Sequence, residues 1–399
     1  MKIVIPLLGC CVALLVMLPR HGIAQTLSTE LQPVSSLSQL TDAAEQRLQR
    51  QALHQPAPWI STWLTDAPVL SAGLLNSRSK GGSDEIELAL NLPLKSPSRV
   101  RLDNDVLDNQ QRLTASLLSY RRWFASGLVR DTVWQIVLER KRQQLLTEQL
   151  DIYQRFIKKL RSPGQASEMQ SYHQYLYQQG ATELALEQLN SAARLLIAQQ
   201  QLQQLTGQAN LPNMTAEEPT ADFQLVQHPR LQLLLLQEQQ LQLQQQANSP
   251  ANSAWQLTTR VKRVNNAEQN DNQIGLQLDI PLTIGEQTNQ LANSTFQLDY
   301  QQWLNDYSDS QREIEQQHNA ARAELKTQQA QLALLKNDEA LRRQAKASLL
   351  LLLERQEINA DVAQQRLQQL LQAELQLVLL EIQVQASIAK LNQTAGVML

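Results

Sequence analysis

Ile86-Glu87-Leu88-Ala89-Leu90-Asn91-Leu92-Pro93-Leu94 and Ile274-Gly275-Leu276-Gln277-Leu278-Asp279-Ile280-Pro281-Leu282 repeat one pattern 188 residues apart. In both, every even position is a large aliphatic residue and the odd positions are polar, small or proline, the period of a strand with one apolar face. A proline stands before the last leucine of each. The match at this distance marks the chain as two halves built on one plan.

Working outward, a weaker alternating run and a polar loop precede each strand, so each half carries a hairpin. In the first half Pro68 to Leu75 leads through Asn76 to Asp84; in the second Trp255, Leu257, Thr259 and Val261 alternate with polar residues and lead through Asn265 to Asn272. Strands are expected over about 67–75, 86–94, 254–264 and 273–282. Prolines set the limits of the helices, because a proline inside a helix removes a donor and clashes with the preceding turn. None occurs from Ser98 to Ser162 or from Leu282 to Leu399, where Leu, Gln, Glu, Arg and Ala dominate. Helices are expected over about 98–161 and 165–206, and over about 287–355 and 359–395. A helix from Val100 to Leu160 would run about 90 Å at 1.5 Å per residue. Leu205-Thr206-Gly207 and Thr394-Ala395-Gly396 close the halves, 189 residues apart. The halves are 25–207 and 228–399, and residues 208–227, with Pro212, Glu217, Glu218 and Pro219, make a polar linker. Short amphipathic segments, Leu40 to Leu53 and Leu231 to Leu243, open the two halves.

Residues 1–24 read as an export signal: Lys2, an apolar run from Ile3 to Leu18, then Gly22-Ile23-Ala24 as the cleavage site. A second reading takes Leu7-Leu8-Gly9-Cys10 as a lipoprotein box with Cys10 acylated, at the cost of an apolar run too short before the cysteine. Cys10 and Cys11 are the two cysteines of the chain, so the mature part would have no disulfide and no thiolate ligand. Aromatics are 4% of 399 residues and glycines number 12, poor material for several compact cores. The formal net charge is -3, with no basic stripe, which argues against a nucleic-acid partner.

Strands of about nine residues with one aliphatic face have the length that crosses an outer membrane at a tilt. Ile86, Leu88, Leu90, Leu92, Ile274, Leu276, Leu278 and Ile280 are the residues expected to meet lipid. Four strands cannot close a barrel, and an open edge in hydrocarbon leaves backbone groups unpaired, so several chains must share one. Trp59, Trp63 and Trp255 stand where strands begin, as an interfacial girdle or as core filling. In the helices, Leu367, Leu370, Leu371, Leu375, Val378, Leu379, Ile382 and Ile388 are spaced for a coiled-coil seam.

The two hairpins, the two long helix pairs and the duplication together resemble the TolC-like outer membrane efflux protein family across nearly all of the mature chain. Trp63-Leu64-Thr65-Asp66-Ala67-Pro68 and Glu87 to Leu94 are most similar to members paired with heavy-metal efflux pumps. The resemblance implies a mainly α fold with a small β part: antiparallel helical hairpins that form an α-barrel on trimerisation, and four strands contributed to a shared 12-stranded transmembrane β-barrel. It implies a passive homotrimeric conduit in the outer membrane of a Gram-negative bacterium, with a large periplasmic part, serving efflux or type I secretion. The implied partners are outer-membrane lipid, a periplasmic adaptor and an inner-membrane pump of the resistance-nodulation-division type; no cofactor is implied. The helix breaks would be the periplasmic tips that dock the adaptor: Ser162, Pro163, Gly164, Gln165, Ala166, Ser167 and Glu168, then Gln356, Glu357, Ile358, Asn359 and Ala360. Gly164 matches the family's tip glycine, whereas the second tip has Glu357 there. Glu357 and Asp361, one helical turn apart, match an acidic entrance; the bland reading is a solvated helix start.

No catalytic constellation emerges. His54, His173, His228 and His318 are scattered away from any metal-ligand spacing, and no phosphate loop or nucleophile elbow occurs. Tyr172, His173, Tyr175 and Tyr177 cluster in one helix, where interhelical packing explains them better than a ligand does. The alternative is a periplasmic adaptor or coiled-coil scaffold, whose helical hairpin would occur once beside a Gly- and Val-rich β domain.

Overall fold

The computed structural model describes residues 37–50, 61–78, 82–160, 168–208, 211, 216–220, 223–249, 252–265, 270–281, 290–355 and 357–399. The expected signal with Cys10, His54, Trp59, Leu282, the first tip from Ser162 to Ser167, and Gln356 lie outside them. The elements in chain order are α1 (Leu37–Arg50), β1 (Val69–Leu75), β2 (Asp84–Leu94), α2 (Pro97–Leu160), α3 (Glu168–Thr206), α4 (Pro229–Ala247), β3 (Trp255–Asn265), β4 (Asn270–Asp279), α5 (Gln290–Asn337), α6 (Glu339–Arg355) and α7 (Ala360–Thr394), with a 3-10 turn at Leu225–Gln227 before α4.

Local chemistry explains where these elements start and stop. Ser96 caps α2: its Oγ accepts from Arg99 N at 3.2 Å, and Pro97 occupies the first helical position, where a missing N–H costs nothing. His228 and Pro229 do the same for α4, with His228 Nδ1 accepting from Arg230 N at 3.2 Å. Gly207 and Gly396, at φ +79° and +85°, supply the left-handed residue that ends α3 and α7. After α7, Val397 N donates to Asn392 O at 3.0 Å and Gly396 N to Gln393 O at 3.1 Å, the paired closing bonds of a Schellman motif. At the end of α3, Arg47 of α1 donates to Gln203 O at 3.3 Å and Gln204 O at 2.8 Å, placing a cation on the negative end of the helix dipole.

The helix expected over 287–355 is two helices, broken at Asp338. Asn337 and Asp338 are poor helix formers whose side chains compete for backbone groups. Asp338 O accepts the opening bond of α6 from Arg342 N at 2.9 Å, and Arg342 Nη2 reaches back to Leu335 O at 2.5 Å to satisfy a freed carbonyl.

α2 packs against α3 and α5–α6 against α7, while α2 also contacts α7 and joins the two hairpins. The buried residues form successive clusters along the helices. Leu40, Ala44, Val129, Val133, Ile136 and Leu202 join α1, α2 and α3; Leu145, Leu146, Leu375 and Leu379 join α2 and α7; Ala321, Leu325, Val384 and Ile388 join α5 and α7. A fourth cluster gathers Ile152, Tyr153, Tyr177, Leu349, Ala360, Ala363, Leu367 and Leu371 beside the second turn. Gly180 belongs here for space, since a Cβ would lie 2.5 Å from Tyr153 Cε1. The α7 seam reads as expected at Leu367, Leu371, Leu375, Leu379 and Ile388, which are buried; Leu370, Val378 and Ile382 are half-buried.

Candidate functional site

The four strands form one antiparallel sheet in the order β1-β2-β3-β4. Each hairpin comes from one half of the chain, and eleven consecutive pairs from Asp84↔Asn265 to Leu94↔Trp255 join them. This register fixes which side chains share a face, because residues opposite each other in antiparallel strands point the same way. One face carries the rows Leu92–Leu257–Leu278, Leu70–Leu90–Thr259–Leu276 and Ala72–Leu88–Val261–Ile274, followed by Leu74–Ile86–Arg263–Asn272. Seven of the eight aliphatic residues expected on one strand face therefore lie on one continuous surface, with Ile274 87% exposed. Ile280 lies just past β4, which ends at Asp279 rather than at residue 282.

The two copies of the pattern differ at their prolines. β2 continues through Pro93, whose C=O accepts from Thr65 N at 2.8 Å; its missing donor faces only the isolated bridge at Leu64↔Leu94, beyond the end of β1. Within a full ladder a proline would delete a bond, and β4 stops before Pro281. Trp255 stands opposite Leu94 at the helix end of the apolar face, and Trp63 lies beside it in sequence with the bridge, 54% exposed. Neither tryptophan belongs to a buried core cluster among the described residues.

The opposite face is polar and internally paired. Lys262 Nζ lies 2.7 Å from Glu85 and Arg260 Nε 3.7 Å from Glu87. Arg260 also donates to Gln277 Oε1 at 3.0 Å, and Gln277 donates to Asp279 at 2.9 Å. β1 and β4 are the edges, each hydrogen-bonded to one neighbour among the described residues.

At the second turn, Glu357 and Asp361 are both exposed, while Ala360 is buried and Ile358 packs on the neighbouring cluster. Glu357 does not share a helical face with Asp361: it sits in the turn, its N–H bonded to Leu352 O at 3.0 Å, and α7 begins after Asn359. Asp361 occupies the first turn of α7, where the helix dipole favours an anion. Glu168 is the first residue of α3. The tyrosine cluster divides. Tyr172 and Tyr175 are exposed, whereas Tyr177 is 2% exposed between Tyr153 and Phe156, its hydroxyl without a partner. Burial, then Tyr153 and Asp361, push the Tyr177 hydroxyl up to about 12.

Sequence reasoning missed a knot where the linker meets the end of α7. Arg130 on α2 donates twice to Glu217, at 3.0 and 2.8 Å, and its Nη1 bonds Gln393 Oε1 and Val397 O at 2.7 and 2.8 Å. Asn392 donates to Glu217 and to Glu218 O and accepts from Thr220 N. Trp123 and Gln393 exchange bonds at 2.8 and 2.9 Å, and Trp123 meets the His228 ring edge-on at 4.7 Å. Glu217 looked like linker polarity because its partners are 87 and 175 residues away. Among the described residues no group of acids, histidines or cysteines could hold a metal, and no helix is long and apolar enough to cross a membrane.

No protein-family model and no curated protein matches the chain. Solved structures do. The CmeC outer membrane channel of Campylobacter jejuni is 13% identical with a TM-score of 0.62, over 96% of this chain and 93% of that one. The outer membrane protein VceC of Vibrio cholerae is 13% identical at 0.62, over 91% and 92%. CusC, described for transmembrane channel formation, is 14% identical at 0.60, over 90% and 85%. The fold is that of the outer-membrane channels. This fold accounts for the mainly α chain with one small sheet among the described residues, and the likeness covers nine-tenths of the chain or more.

Proposed function

We propose that the chain is one protomer of a homotrimeric outer-membrane channel of a tripartite efflux or type I secretion system. The observation that carries this reading is the sheet, with aliphatic rows along one face, charged and polar pairs on the other, and both edges open among the described residues. In hydrocarbon each unpaired backbone group costs several kcal/mol, so β1 and β4 need partners. A second copy offers them: β1 of one protomer can pair with β4 of the next. Three copies of four strands make twelve, enough to enclose a water-filled lumen. Ile86, Leu88, Leu90, Leu92, Ile274, Leu276, Leu278 and Ile280 then meet lipid, and Glu85, Glu87, Arg260 and Lys262 line the lumen.

The helices continue this lumen into the periplasm as an α-barrel. The expected tips, Ser162 to Glu168 and Gln356 to Ala360, dock a periplasmic adaptor that links the conduit to an inner-membrane pump of the resistance-nodulation-division type. The role is passive and needs no catalytic group, cofactor or nucleic acid; energy for opening comes from partner binding that favours the open arrangement. The likeness to solved outer-membrane channels over about nine-tenths of the chain supports this reading. The adaptor reading is disfavoured by the way hairpins from both halves build one sheet with a lipid-compatible face.

Oligomeric state and conductance test the proposal. The detergent-purified protein should migrate as a trimer unless boiled and should conduct in planar bilayers. A water-soluble monomer or dimer that never inserts would overturn it.

A further inference from the structure

We propose that Arg263 is a binding site for the phosphate of an outer-leaflet lipid, an inference that rests on the channel reading above. Register places Arg263 on the apolar face, in the row Leu74–Ile86–Arg263–Asn272, although its neighbours on β3, Lys262 and Val264, face the other way. It is exposed, and none of the ion pairs among the described residues involves it; its Nε donates to Asn265 Oδ1 at 3.3 Å. Among the described residues, the acid on that face at this end of the sheet, Asp84, stands opposite Asn265 and accepts from Ser77 N at 2.9 Å.

Position along the strand gives the arginine its meaning. An arginine facing lipid costs about 2–4 kcal/mol at the membrane midplane but about 0–1 kcal/mol at the interface. β3 enters the apolar face at Trp255, on the helix side, and Arg263 is eight residues further, toward the hairpin loops. At about 3.4 Å per residue and a tilt of about 40°, that separation is about 20 Å, close to the height of an outer-membrane apolar band once side-chain reach is added. The aromatic ring marks the periplasmic rim and the guanidinium the outer one. Below Arg263 the rows are aliphatic; above it come Asp84, Asn265 and Asn270. A planar guanidinium at the headgroup plane, with no ion pair among the described residues, matches a phosphate monoester in two parallel hydrogen bonds.

The test reconstitutes the trimer in phosphatidylcholine vesicles with lipid A and measures, by native mass spectrometry, the lipid A retained after extraction. One cation near an anionic surface contributes about fivefold in affinity, so Arg263→Gln should lower retention about fivefold, with Arg263→Lys intermediate. Arg260→Gln removes the same charge from the same strand on the other face and should leave retention unchanged. Equal retention by wild type and Arg263→Gln, or an equal loss in Arg260→Gln, overturns the proposal while the channel reading stands. A wild-type protein that neither forms a heat-sensitive trimer nor enters vesicles removes both. Gel migration of each variant shows whether the trimer has assembled.

Discussion

Arg130 has a side chain only 2% exposed, and its charge is held there by Glu217. Removing one member of a buried pair strands the other, which typically costs about 3–5 kcal/mol, whereas replacing both with apolar residues costs far less. Glu217→Gln should therefore lower the thermal midpoint seen by circular dichroism more than Arg130→Met with Glu217→Leu does. His228 gives a second expectation. Burial, then Arg230, lowers its pKa from 6.5 to about 4, and protonating Nδ1 would also break the cap it offers to Arg230 N. The unfolded chain thus binds a proton that the folded chain refuses between these values, so stability falls as pH drops from 6.5 toward 4 and is full above 6.5. His228→Asn, which keeps a capping oxygen, should flatten this His228 contribution to the denaturant midpoint across that window.

Strand positions are read by face. Leu90 stands in the middle row, Leu70–Leu90–Thr259–Leu276, midway between Trp255 and Arg263, and Glu87 on the opposite face beside Lys262. A lysine at a lipid-facing midplane position costs about 2–4 kcal/mol per protomer. Leu90→Lys should sharply reduce the unboiled trimer band in detergent extracts of membranes, while Glu87→Gln should leave it in place. Trimer loss in both, or in neither, would deny that the aliphatic face is the lipid face. The alternation at 86–94 and 274–282 made the strands and their apolar sides legible, as the proline at 97 and Gly207 did for helix ends. The break at Asp338 was less legible, because one weak dipeptide in a long helical run is decided by whether Arg342 can satisfy the freed carbonyl.

For the whole molecule, the acids at the second turn bear on conduction. Three copies would bring Glu357 and Asp361 to the narrow periplasmic end, where a ring of one sign raises the local concentration of cations. Glu357→Ala with Asp361→Ala, which shortens the side chains that would constrict this end and removes their charge, should raise conductance and lower cation preference in planar bilayers, by roughly twofold. Unchanged ion preference would leave both as solvated acids at a helix start. Their expected common helical face is absent, since Glu357 belongs to the turn.

By itself the sequence determined the period of each segment, the ends of most helices, the apolar face of each hairpin and the likeness to a channel fold. These are written in local order: side-chain alternation, proline exclusion and capping act over a few residues. Only the tertiary structure decided that β2 pairs with β3 in full register, that Arg263 stands at one rim of the apolar face and Trp255 at the other, and that the linker's Glu217 is locked to Arg130 and Asn392. Those contacts join residues 87 to 181 positions apart. No local pattern encodes which of many equivalent polar side chains will meet once the helices pack and the burial of one charge demands a partner.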